Sequence, residues 1–195
     1  MEIIMVHGIW DKGTVFRRMA KVLTEQGHNC HTPDLEPANG AHGLADLAQK
    51  LERTIDQTLG SHTRFALIGF SMGSLVARYY MQVLGGASRV SHLFCISISG
   101  PQHGTLTAHL TLGKASRDMR IRSKLLLQLN ANTSSFENTI VHCYRTPFDL
   151  LIIPSRSSEL EFADGNHIVP AIFHHRMLTH PTVHQHIAQA LKTDC

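Results

Sequence analysis

The chain has 195 residues, of which 43% are hydrophobic and 17% charged, with a formal net charge of +3. That length suits one domain with a core of its own, and the composition excludes an intrinsically disordered chain. No Lys/Arg run exceeds two residues and no apolar run reaches the roughly 18 needed to cross a bilayer, so neither nucleic-acid binding nor a transmembrane segment is expected.

The start, MEIIMVHGIW, has no basic opening and no small-residue cleavage site, so the expected compartment is the cytoplasm, without a secretory leader. EIIMV (2–6) reads as a buried strand, and VFRRMAKVL (15–23) carries apolar residues at helical spacing. Gly27 breaks that helix before a weaker strand near 29–33. LADLAQKLERTIDQTL (44–59) aligns Leu44, Leu47, Ala48, Leu51, Ile55 and Leu59 on one helical face. RFALIG (64–69) is a strand, SMGSLVARYYMQVL (71–84) a helix and HLFCISIS (92–99) a further strand. The segment 104–137, basic around RDMRIRSK, reads as an insertion of one or two helices. TIVHCY (139–144) and HIVPAIF (167–173) supply the last strands, and TVHQHIAQAL (182–191) a closing helix. Strands alternating with helices predict an α/β fold: a mostly parallel sheet of about six strands with helices on both faces, in a single domain over 1–195.

Cys30, Cys95, Cys143 and Cys195 are widely spaced without a CxxC pair, and are expected to be reduced and structural. Fifteen histidines are scattered along the chain, so position rather than presence makes one informative. His184-x-His186 lacks a third and fourth ligand, and His180, His184 and His186 are expected on a solvated helix face; neither a metal nor a cofactor is expected.

One stretch demands a special geometry. Gly69-Phe70-Ser71-Met72-Gly73 lies between a strand and a helix, with glycines on both sides of a small hydroxyl residue. Two glycines remove side chains where backbone passes close to backbone, and a serine on such a corner projects its hydroxyl above the sheet. The helix that follows presents free N–H groups and a partial positive charge at its start. Those features suit a nucleophile whose attack generates an oxyanion. The bland alternative is a glycine-edged turn with a capping serine.

With that corner in place, the chain resembles a small α/β-hydrolase of the bacterial lipase/esterase kind, of the minimal form without a large cap domain. The resemblance rests on IIMVHGIWD (3–11), IGFSMGSLVARYY (68–80), ISGPQHGT (98–105) and LTHPTVHQHIAQAL (178–191), which together run from end to end of the chain. It implies Ser71 as nucleophile and an oxyanion hole from the backbone N–H groups of Ile9, after His7-Gly8, and of Met72. Each such donor is worth about 3 kcal/mol of barrier.

Chain order in this fold is Ser, acid, His. After Ser71 the candidate carboxylates are Asp118, Glu137, Asp149, Glu159, Glu161 and Asp164, and Asp149 sits on the loop after TIVHCY as the family pattern requires. Glu159 is the next candidate. His174 and His175 both follow the last strand; a spacing of seven residues before Pro181, usual in the family, selects His174. His103 in GPQHGT precedes the acid and is read as turn architecture or a pocket wall, and Trp10 as an acyl-pocket or half-exposed packing residue. Phe70 and Ser74 depart from the family, which often has His or Tyr and Gly there. Leu106, Leu110, Leu112, Leu125, Leu126 and Leu127 are candidates for an acyl-pocket wall or lid, or for ordinary core.

The expected substrate is a small acyl ester or lipid-like ester, cleaved through an acyl-enzyme. Thioester cleavage, acyl transfer, or a non-catalytic binding role on the same scaffold are the alternatives.

Overall fold

The computed structural model describes residues 1–191, apart from the side chains of residues 91–95. Cys195 and the side chain of Cys95 therefore lie outside the described residues, while Cys30 is a half-buried thiol and Cys143 is buried in the core. Six strands, β1 (Glu2–Val6), β2 (Asn29–His31), β3 (Phe65–Phe70), β4 (Val90–Ile98), β5 (Ile140–Arg145) and β6 (Gly165–Ile168), form one sheet in the order β2-β1-β3-β4-β5-β6. Every pairing is parallel.

Alternation along the strands sends successive side chains to opposite faces, and each face is covered. Ile3, Met5, Ala66, Ile68, Ile96 and Ile98 pack against α1 (Arg17–Thr24) and α6 (Pro181–Ala190). On the other face Ile4, Val6, Phe65, Leu67, Val141 and Cys143 meet α2 (Leu44–Leu59), α3 (Met72–Val83), α4 (Lys114–Asp118) and α5 (Lys124–Ala131). Covering both faces makes β3 buried at every position, which is why FALIGF reads as an unbroken apolar run.

The chain leaves β1 for β2 on one side and returns through α2 to β3 on the other. The carboxyl ends of β1 and β3 thus flank the point where strand order reverses, the place where open α/β sheets put their sites.

Buried Arg78 on α3 ties the insertion down. It donates to Gln82 Oε1 at 2.9 Å, Gln102 Oε1 at 3.1 Å and the Leu129 carbonyl of α5 at 2.9 Å.

Three sequence expectations need correction. The last strand ends at Ile168 instead of 173: Pro170 has no N–H for the ladder, and Ala171 turns back to donate to Val169 O at 2.9 Å. Residues Gly13–Phe16 form a 3₁₀ turn, so the α-helix expected from 15 begins at Arg17. His184 is buried instead of solvated. It falls on the Val183-His184-Ile187-Ala188 stripe facing the core and donates from Nε2 to Leu178 O at 2.7 Å. His186 is exposed, and His180 caps α6 by accepting from Thr182 N.

The glycines flanking Ser71 are where the packing is tightest. A Cβ on Gly73 would collide with the carbonyl oxygens of Val6 and His7, and one on Gly69 with the Ser74 backbone. Gly73→Ala is expected to lower unfolding free energy by about 3 kcal/mol, the upper range for overpacking a rigid site; urea denaturation measures it, and a loss under about 0.5 kcal/mol, the range of an ordinary surface change, contradicts the close approach.

Candidate active site

Ser71 occupies the corner between β3 and α3 with φ 53° and ψ −126°, a conformation that L-residues seldom adopt. Its N–H donates to Ile98 O of β4 at 2.9 Å, and its carbonyl accepts from Ser74 N at 3.0 Å. Ser74, in a position often Gly in the resembled family, donates from Oγ to Gly69 O at 2.8 Å. Ser71 thus stands at the head of α3, and the Met72 N–H is one of that helix's first-turn donors, which have no partner within the helix.

The loop after β1 approaches from the adjacent strand. A Cβ on Gly8 would lie 3.1 Å from Ser71 Cβ, so this loop passes directly over the serine. Buried His7 holds it from below, donating from Nδ1 to Gly8 O at 2.9 Å and accepting at Nε2 from Leu35 N at 2.9 Å. Trp10 has φ 60° and its N–H donates to Ala38 O at 2.8 Å. Ile9, between them, lines the same cleft as Ser71.

The loop after β5 brings the carboxylate. Asp149 Oδ1 accepts from Leu151 N at 2.9 Å and Ile152 N at 3.0 Å, and Oδ2 accepts from His174 Nδ1 at 2.8 Å. Both side chains of that pair are buried, 2% and 4% exposed for Asp149 and His174, so water does not compete for the bond. Burial pushes the Asp149 carboxyl up, but the His174 hydrogen bond and charge and the two backbone N–H groups outweigh it and hold the group below its ordinary value. His174 opens a 3₁₀ turn (His174–Thr179), and its ring lies 4.7 Å from that of Phe70, the residue before Ser71. Its Nε2 is shielded from solvent and has no hydrogen-bond partner among the described residues, Ser71 Oγ included.

Of the two adjacent histidines, His174 meets Asp149 and His175 does not. His175 turns outward and reaches Asp11 Oδ1 at 3.1 Å. Glu159, the other acid weighed, instead pairs with Arg145 at 2.5 Å. His103 is exposed, with its N–H on Ser157 O at 3.1 Å and its ring 3.4 Å from Asn130 Nδ2; it belongs to a turn and does not line the cleft.

The cleft at Ser71 has a volume of about 90 Å³ and is lined by Ile9, Trp10, Ala108, Met119, Leu151 and Ile152, with Thr105, Thr107 and Thr111. None of the six leucines weighed as its wall is among these residues. Leu106, Leu110, Leu112 and Leu127 are exposed, Leu126 is core and Leu125 packs partly against it. Met119 and Ala108, together with the Leu151-Ile152 pair after Asp149, are the residues that sequence reasoning missed. The apolar run behind Asp149 was their one visible signal.

A hydrolase scaffold with this sheet order, a serine corner and a carboxylate–imidazole pair at one sheet edge defines an α/β-hydrolase. The chain belongs to the palmitoyl protein thioesterase family, whose model matches residues 2–150. That match takes in the Ser71 corner and Asp149 and ends before His174. A search of curated protein sequences found no match. Among solved structures, lipase B of Aspergillus fumigatus superposes with a TM-score of 0.80 at 16% identity, over 98% of this chain and 52% of that one. A Listeria innocua gene product superposes at 0.73 with 13% identity, over 100% and 95%. The mature lipase of Bacillus licheniformis does so at 0.70 with 16% identity, over 91% and 86%. At these identities the likeness speaks for the fold.

The lowered Asp149 carboxyl sets a pH dependence. Its contribution is fully present above the ordinary carboxylate value, about 3.9, and is lost as pH falls through the lower folded value. The stability gap between the protein and Asp149→Asn is therefore expected to be constant from pH 5 to 6 and to close below about pH 4, as read by urea unfolding across that range. A gap that widens on acidification would contradict it.

Proposed function

We propose that the protein is a serine hydrolase that removes acyl groups from esters or thioesters through an acyl-enzyme. Ser71 is the nucleophile, His174 the base and Asp149 the acid that orients it. The observation that carries this reading is the buried Asp149–His174 hydrogen bond, which leaves Nε2 without a partner among the described residues, beside the Ser71 corner. A buried acceptor without a partner costs about 1–3 kcal/mol. A general base awaiting the proton of a bound nucleophile accounts for it, since catalytic hydrogen bonds are often long before substrate arrives.

In the reaction His174 Nε2 takes the Ser71 hydroxyl proton as Oγ attacks the acyl carbonyl. The oxyanion accepts from the Ile9 and Met72 N–H groups. On collapse His174 returns the proton to the departing alkoxide or thiolate, and water repeats the sequence to release the acid. Asp149 stays ionised throughout, holding Nδ1 protonated and stabilising the imidazolium. No cofactor enters any step.

The cleft volume of about 90 Å³ is small, so its enclosed part takes the carbonyl end of an acyl group. Beyond that a chain runs over exposed Trp10 and Leu151, which are 64% and 47% exposed. This favours short to medium acyl groups. The family match supports a second reading in which the leaving group is a thiol. The triad chemistry is the same, and a thiolate departs more readily than an alkoxide.

Ser71→Ala is expected to fold and to lose p-nitrophenyl ester turnover by at least about 10³-fold, and Asp149→Asn by a similar factor. A fluorophosphonate probe should label the protein at Ser71. Persistent turnover in Ser71→Ala rules out the nucleophile, and a folded protein that no probe labels points to a binding role. Ester and thioester pairs sharing one acyl chain, graded in length, separate the two leaving groups.

A further inference from the structure

A second carboxylate–imidazole pair stands next to the first, and the proposed reaction makes no use of it. His175 Nε2 donates to Asp11, 3.1 Å from Oδ1 and 3.3 Å from Oδ2. The partners are separated by 164 residues and join two loops of the site: Asp11 follows Ile9 on the loop over Ser71, and His175 follows His174. The His175 ring also lies 5.3 Å from the Phe70 ring and 5.6 Å from that of His174, edge-on to it.

The loop over Ser71 needs such a hold. It passes through a left-handed conformation at Trp10, φ 60°, which a large side chain adopts only when its surroundings impose it. His7 secures its start and the Trp10 N–H its middle, while the Asp11 carboxylate secures its end. Asp11 also sits under the turn: its Oδ2 would be 2.9 Å from a Cβ on Gly8, and its N–H lies 3.4 Å from Gly8 O.

We propose that Asp11 and His175 form a positioning clasp that holds the Ile9 N–H in register with the Ser71–His174 pair, and that the clasp loosens when His175 loses its proton. The inference rests on the catalytic reading above for its consequence, though not for its existence. The groups facing His175 are Asp11 on the opposing loop, Asp149 behind His174 and the His174 ring itself, with Arg176 next in chain. The Asp11 hydrogen bond, against partial burial, raises the His175 value above the ordinary imidazole range, with the charges of Asp11 and Asp149 adding to it. The sign follows: the clasp is charge-assisted below that raised value and weakens as pH rises through it.

The sole tryptophan of the chain, Trp10, adjoins Asp11 and reports on the loop without any substrate. Its fluorescence in the intact protein is expected to titrate with a midpoint above that of an ordinary histidine, to stop titrating in His175→Gln, and to shift to a lower midpoint in Asp11→Asn. With a soluble ester, Asp11→Asn and His175→Ala should each lower kcat about tenfold with KM little changed. Combining them should lower it no further, because either removes the pair. His175→Gln, which keeps an uncharged donor for Asp11, should give a kcat above that of His175→Ala, level across pH and equal to the value the unmodified protein falls to once His175 is neutral. A Trp10 titration that His175→Gln leaves intact overturns the clasp, even if the enzyme is active. Additive kcat losses in the double variant, or losses that only track a lowered melting temperature, overturn it as well. An unlabelled, inactive protein with the Trp10 titration as described would sink the catalytic reading and leave the clasp standing.

Discussion

The close contact between the Gly73 backbone and the carbonyls of Val6 and His7 is the constraint on which the site depends. Only a residue without a side chain lets the first turn of α3 lie against the end of β1. Because β1 and β3 are neighbours in register, Val6 opposite Gly69, that contact sets how far the loop after β1 stands from Ser71. The strained backbone at Ser71 follows from it. A chain that ends one strand and starts a helix packed so tightly has no room for a relaxed turn, and the surrounding sheet sustains a conformation costing on the order of 1–3 kcal/mol.

Distant parts of the chain supply the rest, each delivered at the same sheet edge by a parallel strand. β5 ends in the loop that presents Asp149, whose carboxylate is held by two N–H groups of its own loop before it meets His174. The imidazole rests on Phe70, so the departure from the resembled family just before Ser71 furnishes a flat apolar support for the ring. Electrostatics and packing thus act on the same ring: the carboxylate at Nδ1 selects the tautomer, and the phenyl ring, tilted 41° to it, limits its swing.

Much of this was legible in the residues. Paired glycines, the order of strands and helices, and a lone carboxylate between an apolar strand and an apolar run are local signals, and each marked a feature found at the sheet edge. What was not legible is non-local. The leucine-rich insertion promised a pocket wall, yet its leucines divide between solvent and core, while Met119 and Ala108 reach the cleft because of how α4 and its preceding turn are folded back. His184 looked like surface because histidine is polar; its place on the inward stripe of α6 and a carbonyl partner decided otherwise. The Asp11–His175 pair, at opposite ends of the chain, has no local pattern at all.

Helix α3 carries Ser71 at its N-terminal edge and Arg78 about two turns further on, and Arg78 grips the carbonyl of Leu129 in the insertion. The Ser71 corner, proposed to carry the nucleophile, and the cleft wall are therefore mounted on one shared beam. The insertion is referenced to the same helix that carries the Ser71 corner, so a change at Ala108, Met119 or Thr111 can reshape the wall while that corner stays in place. A change at Arg78 would instead uncouple the two and blur selectivity from a distance.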